Sequence, residues 1–212
     1  MAQYFQVHPH DPQPRLITQA GAIVRAGGVI VYPTDSSYAL GCRLGDKGAL
    51  ERIQRIRRLG DRHNFTLVCR DLSELALYAR VTDADYRVLR ANTPGPYTFI
   101  LPATREVPRR LLTRRKTIGL RIPAHRIAQG LLAELAEPLM SVTLILPDEE
   151  LPLSDPQDIR SRLEHEVDLV VDGGSCGFEP TTVVVLEDGV ARVTRVGKGD
   201  ATVFARAAQG GA

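Results

Sequence analysis

The sequence contains no tryptophan, and its 212 residues include only five Phe, two Met and three Cys. Cys42, Cys69 and Cys176 are odd in number, far apart and free of CxxC spacing, which excludes a disulfide framework and a zinc or redox motif. The five histidines show no HExxH pair, Cys42 and Cys69 fall in apolar strand runs that suit inert core, and the P-loop and GxGxxG fingerprints are missing. A metal site and a nucleophilic hydrolase are therefore not expected. No apolar run approaches the roughly 20 residues that cross a bilayer, and the N-terminal MAQYFQVHPHDPQPR lacks the apolar segment of a signal peptide. These absences argue against a membrane or secreted protein and fit a cytoplasmic one.

What is present suits a globular core, since 43% of residues are hydrophobic and 25% charged. No repeat, low-complexity tract or Ser/Gly linker divides the chain, and PDEELPLSDP (147–156) reads as an excursion. One domain over 1–212 is expected, with its core at about 14–200. The net charge is only +2, but the basic residues cluster, as Arg52, Arg55, Arg57, Arg58, Arg62 and again as Arg105, Arg109, Arg110, Arg114, Arg115, Lys116. Such runs suit either a phosphate-attracting surface or a solvated helix face, and charge alone leaves both open.

Helical and extended patterns alternate along the chain. Pro14 suits the start of a helix presenting Leu16, Ile17, Ala20, Ile23 and Val24, which Gly27-Gly28 ends. The β-branched run GVIVYPT reads as a buried strand. After YALGCRL, Asp46 suits the N-cap of a helix through Leu50, Ile53, Ile56 and Leu59, with Gly60 as its stop. FTLVC is a strand; two helices follow, the second from near Thr82 to the NTPGP turn; then come the strands YTFIL and TIGLRI. HRIAQGLLAELA is a helix stopping before Pro138. PLMSVTLIL, VDLVVDGG, TTVVVL and ARVTRV add strands, the last two joined by Glu187-Asp188-Gly189 as a hairpin. Crossover helices build parallel pairs and the hairpin is antiparallel, so the fold class is α/β with a twisted, mixed open sheet and flanking helices.

Polar residues gather where strands end. Tyr32 to Tyr38 (YPTDSSY), NTPGPYT, TIGLR and the glycine cluster Gly173-Gly174-Ser175-Cys176-Gly177 ahead of Thr181-Thr182 all fall at such ends, where α/β sheets open their ligand crevices. The same residue types also make plain capped turns, and spacing alone does not separate the two readings.

Taken in order, GGVIVYPTDSSYALG, NTPGPYTFIL, TIGLRIPAHRIAQGLL, EPLMSVTLI and PTTVVVL with Arg195-Val196-Gly197 resemble the YrdC-like threonylcarbamoyl-AMP synthase family, most closely its single-domain YciO-type branch. The resemblance covers about residues 14 to 200. It implies an open sheet around a basic concave cleft in which L-threonine, bicarbonate and ATP form threonylcarbamoyl-AMP and pyrophosphate, for the t6A modification of adenosine 37 in tRNA. ATP would be a substrate with Mg²⁺, and no tightly bound cofactor is implied. On the matching positions, Ser36, Arg121, Ser141 and Thr181 are the expected threonine contacts. Arg57, Asn64, Thr117, Thr143 and Arg195 are the expected nucleotide contacts, and Arg55 with Arg57 the expected catalytic pair.

Three positions depart from the family pattern. Arg55-Ile56-Arg57 stands for the usual Lys-x-Arg, Cys69 aligns where a histidine is common near the threonine, and Thr143-Leu144-Ile145 replaces Ser-x-Asn. A hydrogen bond to a charged group is worth about 1.5–3 kcal/mol, so these changes predict reduced or altered activity. The rival expectation is a protein that binds double-stranded RNA or tRNA in the same basic cleft without catalysis, because A-form RNA is read through phosphates and 2′-hydroxyls. Hydrolysis or salvage of a threonylcarbamoyl-type adenylate is a third.

Overall fold

A computed structural model describes residues 1–60 and 63–207; Arg62 of the first basic cluster and positions 208–212 of the tail lie outside the described residues. Ten strands among them form one sheet: β1 (Gln3–Gln6), β2 (Ile30–Tyr32), β3 (Ala39–Arg43), β4 (Thr66–Val68), β5 (Tyr97–Pro102), β6 (Thr117–Arg121), β7 (Leu139–Thr143), β8 (Leu169–Asp172), β9 (Thr182–Glu187) and β10 (Val190–Arg195). Their order is β1-β8-β2-β3-β7-β4-β6-β5-β9-β10. Pairs β1/β8, β2/β8, β4/β6 and β5/β9 are parallel, and the other five are antiparallel. The sheet is thus mixed, as the crossover-and-hairpin pattern requires.

One face carries Leu40, Cys42, Leu67, Phe99, Leu101, Ile118, Leu120, Met140, Val170, Val184 and Leu186 into the larger core. It is covered by α2 (Lys47–Arg57), α3 (Leu72–Tyr78), α4 (Asp83–Asn92), α6 (Pro156–Leu163) and α7 (Thr202–Ala207), which contribute Leu50, Ile53, Leu75, Leu89, Ile159 and Phe204. The opposite face is covered over only half its width. There α1 (Pro14–Arg25) and α5 (Arg126–Leu135) bring Ile17, Val24, Leu131 and Leu132 onto Ile30, Tyr32, Leu139, Leu169 and Val171. Beyond β7 the same face turns polar.

Several expected boundaries shift for local reasons. Helix α1 begins at Pro14 and closes as its pattern demands: Gly27 at φ 86° donates to Val24 O and Gly28 to Ile23 O. Helix α2 starts under the Asp46 cap, whose side chain accepts from Ala49 N, but it does not run to Gly60. Arg58 takes the left-handed conformation at φ 48° and donates to Arg55 O, while Leu59 donates to Gln54 O, so a non-glycine residue closes the helix. Strand β1 carries no apolar run of its own; it is fixed by backbone pairing with β8. Helix α6 follows the 147–156 excursion, with Asp155 capping Gln157 N and Asp158 N and Pro156 in its first turn. Asp-Pro before an apolar residue is a helix-start signal that could have revealed it.

Candidate active site

The uncovered half of the sheet is the floor of a cavity of about 710 Å³. Thr66 of β4, Thr98 and Ile100 of β5, Thr117, Gly119 and Arg121 of β6, Ser141 and Thr143 of β7, and Val183 and Val185 of β9 all project from it. Their register makes this possible: Thr66 lies beside both Ser141 and Gly119, Ile100 beside Gly119 and Val185, and Thr98 beside Val183. Gly119 keeps the floor low, since a Cβ there would meet Thr66 Oγ1 and Thr98 Cγ2, each at 3.3 Å.

The wall carries six guanidinium groups, from Arg57, Arg114, Arg115, Arg121, Arg192 and Arg195, and no Asp or Glu among the described residues that line it. Burial lowers the pKa of Arg57 and of Arg195, and burial together with the Arg57 charge lowers that of His63. Like charges gathered in a low-dielectric recess repel one another, so such a recess is stabilised by an anion.

Several polar groups on the floor are oriented by neighbours. Ser141 Oγ donates to Leu40 O at 3.0 Å, which uses its only proton, so the Tyr32 hydroxyl must be the donor in the 2.8 Å bond between them. Ser141 therefore faces the cavity as an acceptor. Thr181 Oγ1 lies 2.7 Å from Thr98 Oγ1, and Arg195 reaches back to Thr181 O through Nη2 at 2.9 Å and Nε at 3.2 Å. Gly197 permits that return: its N–H donates to Thr182 Oγ1 at 2.9 Å, and a Cβ would overlap Pro180 O. The Arg195-Val196-Gly197 motif thus has a steric reason. Thr117 N–H donates to Thr113 Oγ1 at 3.1 Å, tying the cavity floor to the basic loop.

Arg121 is the most enclosed of the six. Its Nη2 donates to Thr34 Oγ1 at 3.1 Å and to Asp35 Oδ1. The Thr34 hydroxyl donates to Ser37 O at 2.6 Å and accepts from the N–H groups of Ser36 and Ser37, so YPTDSSY folds into a fixed turn that carries Asp35 to Arg121.

Of the residues expected from sequence, Arg57, Asn64, Thr117, Thr143, Arg121, Ser141, Thr181 and Arg195 line this one cavity. Ser36 does not line it; it is 1% exposed and its hydroxyl sits 3.2 Å from Thr34 Oγ1, within the supporting turn. Arg55 is a correction. It is exposed and borders a separate shallow depression with Glu51, Gln54, Arg58 and Leu59. Cys69 is another: it is fully buried in the helix-covered core, and its N–H donates to Arg121 O at 2.8 Å. Ile145 does line the cavity, so that departure changes the wall itself. Sequence reasoning placed Tyr32, Asp35 and Thr98 in its strand-end segments without giving them a site role, and it missed His63 and Arg192. Of these, Thr98 was readable from strand alternation, two residues from Ile100.

A sequence profile of the Sua5/YciO/YrdC family, described as "Telomere recombination", matches residues 22–197. The chain is 58% identical over 205 residues to the Escherichia coli K12 protein YciO, covering 96% of this chain and all of that one, and the crystal structure of E. coli YciO superposes with a TM-score of 0.92. It is 31% identical over 182 residues to the threonylcarbamoyl-AMP synthase of Chromobacterium violaceum, covering 85% of this chain and 94% of the relative. The crystal structure of P. abyssi Sua5 complexed with L-threonine shares the fold at a TM-score of 0.88 and 21% identity, over 96% of this chain and 60% of that one.

Proposed function

Since the chain belongs to the Sua5/YciO/YrdC family, we propose that its cavity joins L-threonine, bicarbonate and ATP into threonylcarbamoyl-AMP and releases pyrophosphate. The observation that carries this reading is the wall of six guanidiniums without a lining carboxylate, beside a floor of fixed hydroxyls. A zwitterionic amino acid needs a guanidinium for its carboxylate and an acceptor for its hydroxyl proton, which Arg121 and Ser141 offer. A triphosphate needs several fixed positive charges, supplied by Arg57 and Arg195, with Asn64, Thr117 and Thr143 as neighbours.

The chemistry asks for no covalent nucleophile from the protein. The threonine amine adds to bicarbonate, water leaves, and the resulting carbamate oxygen attacks the α-phosphorus while pyrophosphate departs. The residues hold the reactants in line and neutralise the charge that gathers on the leaving oxygens. Magnesium would enter as part of the nucleotide substrate. The product would serve t6A formation in tRNA. The test is pyrophosphate release by the purified chain with MgATP and bicarbonate. Release that requires L-threonine supports the reading; release without threonine, or none, overturns it.

A second reading, RNA binding without catalysis, is favoured by the loop carrying Arg105, Arg109, Arg110, Arg114, Arg115 and Lys116, all exposed while Val107 and Leu111 anchor it at 2% and 5% exposure. Filter binding of double-stranded RNA and tRNA across a salt series decides it: affinity falling steeply with salt supports the reading, and no binding at low salt removes it.

A further inference from the structure

Strand β9 departs from its neighbours on the face that the helices leave bare. Where β4, β6 and β7 present Thr66, Thr117, Ser141 and Thr143 to the cavity, β9 presents Val183 and Val185, with Ile100 of β5 beside Val185. These three aliphatic side chains are only half-buried, whereas Val184, Leu186, Phe99 and Leu101, on the helix-covered face of the same strands, are fully buried. Branched apolar groups on a wet floor form a strip that an apolar guest stabilises by covering it.

The outer border of the strip is cationic by construction. Arg192 lies opposite Val185 and Arg195 opposite Val183, although residues three apart on a regular strand face opposite sides. A bulge between Val193 and Arg195 makes up the difference and brings both arginines to the cavity. Arg195 is held back on Thr181 O. Arg192 is exposed at the rim, and among the described residues its guanidinium has no ion-pair or hydrogen-bond partner. Threonine held at Arg121 and Ser141 does not extend to Arg192, whose strand stands three spacings beyond β6, roughly 14 Å at about 4.8 Å per strand. Of the reactants named above, only ATP is long enough to span the floor, and its base is their only flat apolar part.

We propose that the nucleobase lies on Ile100, Val183 and Val185 with the Arg192 guanidinium stacked on its open face, which makes Arg192 a nucleotide-recognition residue. A guanidinium plane stacks on a base while its charge stays in water, and that contact is independent of the phosphates. This rests on the nucleotide part of the reading above and deepens it by giving the base its own subsite. The competing role for Arg192 is one more phosphate contact.

Calorimetric titration of the full chain with MgATP and with inorganic triphosphate plus magnesium, which keeps the phosphate chain but lacks the nucleoside, separates the two roles. Arg192→Ala should weaken MgATP binding by about fivefold or more and leave inorganic triphosphate within about twofold. Arg192→Lys, which keeps the charge but loses the plane, should remain at least about threefold weaker than wild type for MgATP. Val185→Asn, which wets the strip, should show a loss of similar size, again for MgATP alone, and a cooperative thermal transition certifies that each variant is folded. A loss shared equally by both ligands assigns Arg192 to the phosphates and overturns the inference, as does unchanged MgATP affinity in folded Arg192→Ala; either result leaves the nucleotide reading standing. A loss confined to MgATP, without threonine-dependent pyrophosphate release, leaves the inference standing and overturns the synthase reading. A wild type that does not bind MgATP overturns both.

Discussion

Arg55 and Arg57 differ by two positions, which on an α-helix is about 200° of rotation, so they cannot face one cavity. The structure gives the inward direction to Arg57 and the outward one to Arg55. Arg57→Ala should therefore weaken MgATP binding by about tenfold or more, while Arg55→Ala leaves it within about twofold, as measured by equilibrium titration. A second consequence concerns Arg121. Removing it leaves Asp35 buried without its counter-charge, so Arg121→Ala should destabilise the fold by roughly 3–5 kcal/mol in denaturant titration, and adding Asp35→Ala should recover a large part of that loss. At this scale the motifs made most of the cavity wall legible, because their residue types and order are distinctive. The ion pair with Asp35 and the Tyr32 bond to Ser141 were not legible, since each joins positions 86 or 109 residues apart that only the closed sheet brings together.

Among the elements, α4 and the β9–β10 hairpin are coupled through one buried carboxylate. Asp85 accepts from Thr82 N and Oγ1 in the helix's own capping box and, through its other oxygen, from Gly189 N at 2.7 Å. Asp85→Ala breaks the cap and leaves a partly buried turn N–H without its partner. It should cost roughly 2–3 kcal/mol in denaturant titration and raise hydrogen exchange across the strand that carries Arg192 and Arg195. Capping signals of this kind are local, which is why Asp46 and Thr82 were readable as helix starts. The close of α2 was not: a left-handed arginine satisfies the same carbonyls that a glycine would, and sequence favours the glycine two residues on. β1 left no pattern because its partner, β8, lies over 160 residues away.

Across the whole molecule, a sheet covered fully on one face and halfway on the other explains why so many polar residues alternate with core ones on β4 to β7 and on β10. The covered face also fixes an alkaline limit. Burial pushes the Cys42 thiol up from 9.0 to about 12, so the folded state keeps a proton that the unfolded chain sheds above pH 9. Its contribution to stability is complete below pH 9 and is lost as pH rises from there toward 12, by about 1.4 kcal/mol per pH unit. Denaturant titrations at pH 7 and pH 10 should show a smaller pH-dependent loss in Cys42→Ala than in the wild type. The mixed sheet was legible as a class from its alternating patterns. Which face would stay bare was not, because that depends on α1 and α5 packing on each other over β2, β7 and β8.

The central claim is that one guanidinium-lined recess holds an amino acid and a nucleotide side by side. Calorimetric titration of L-threonine into the chain, first alone and then with saturating MgATP, tests it most directly. One threonine per chain, bound in both conditions, is the result the account predicts. Expulsion of threonine by MgATP, or heat from neither ligand, would contradict it.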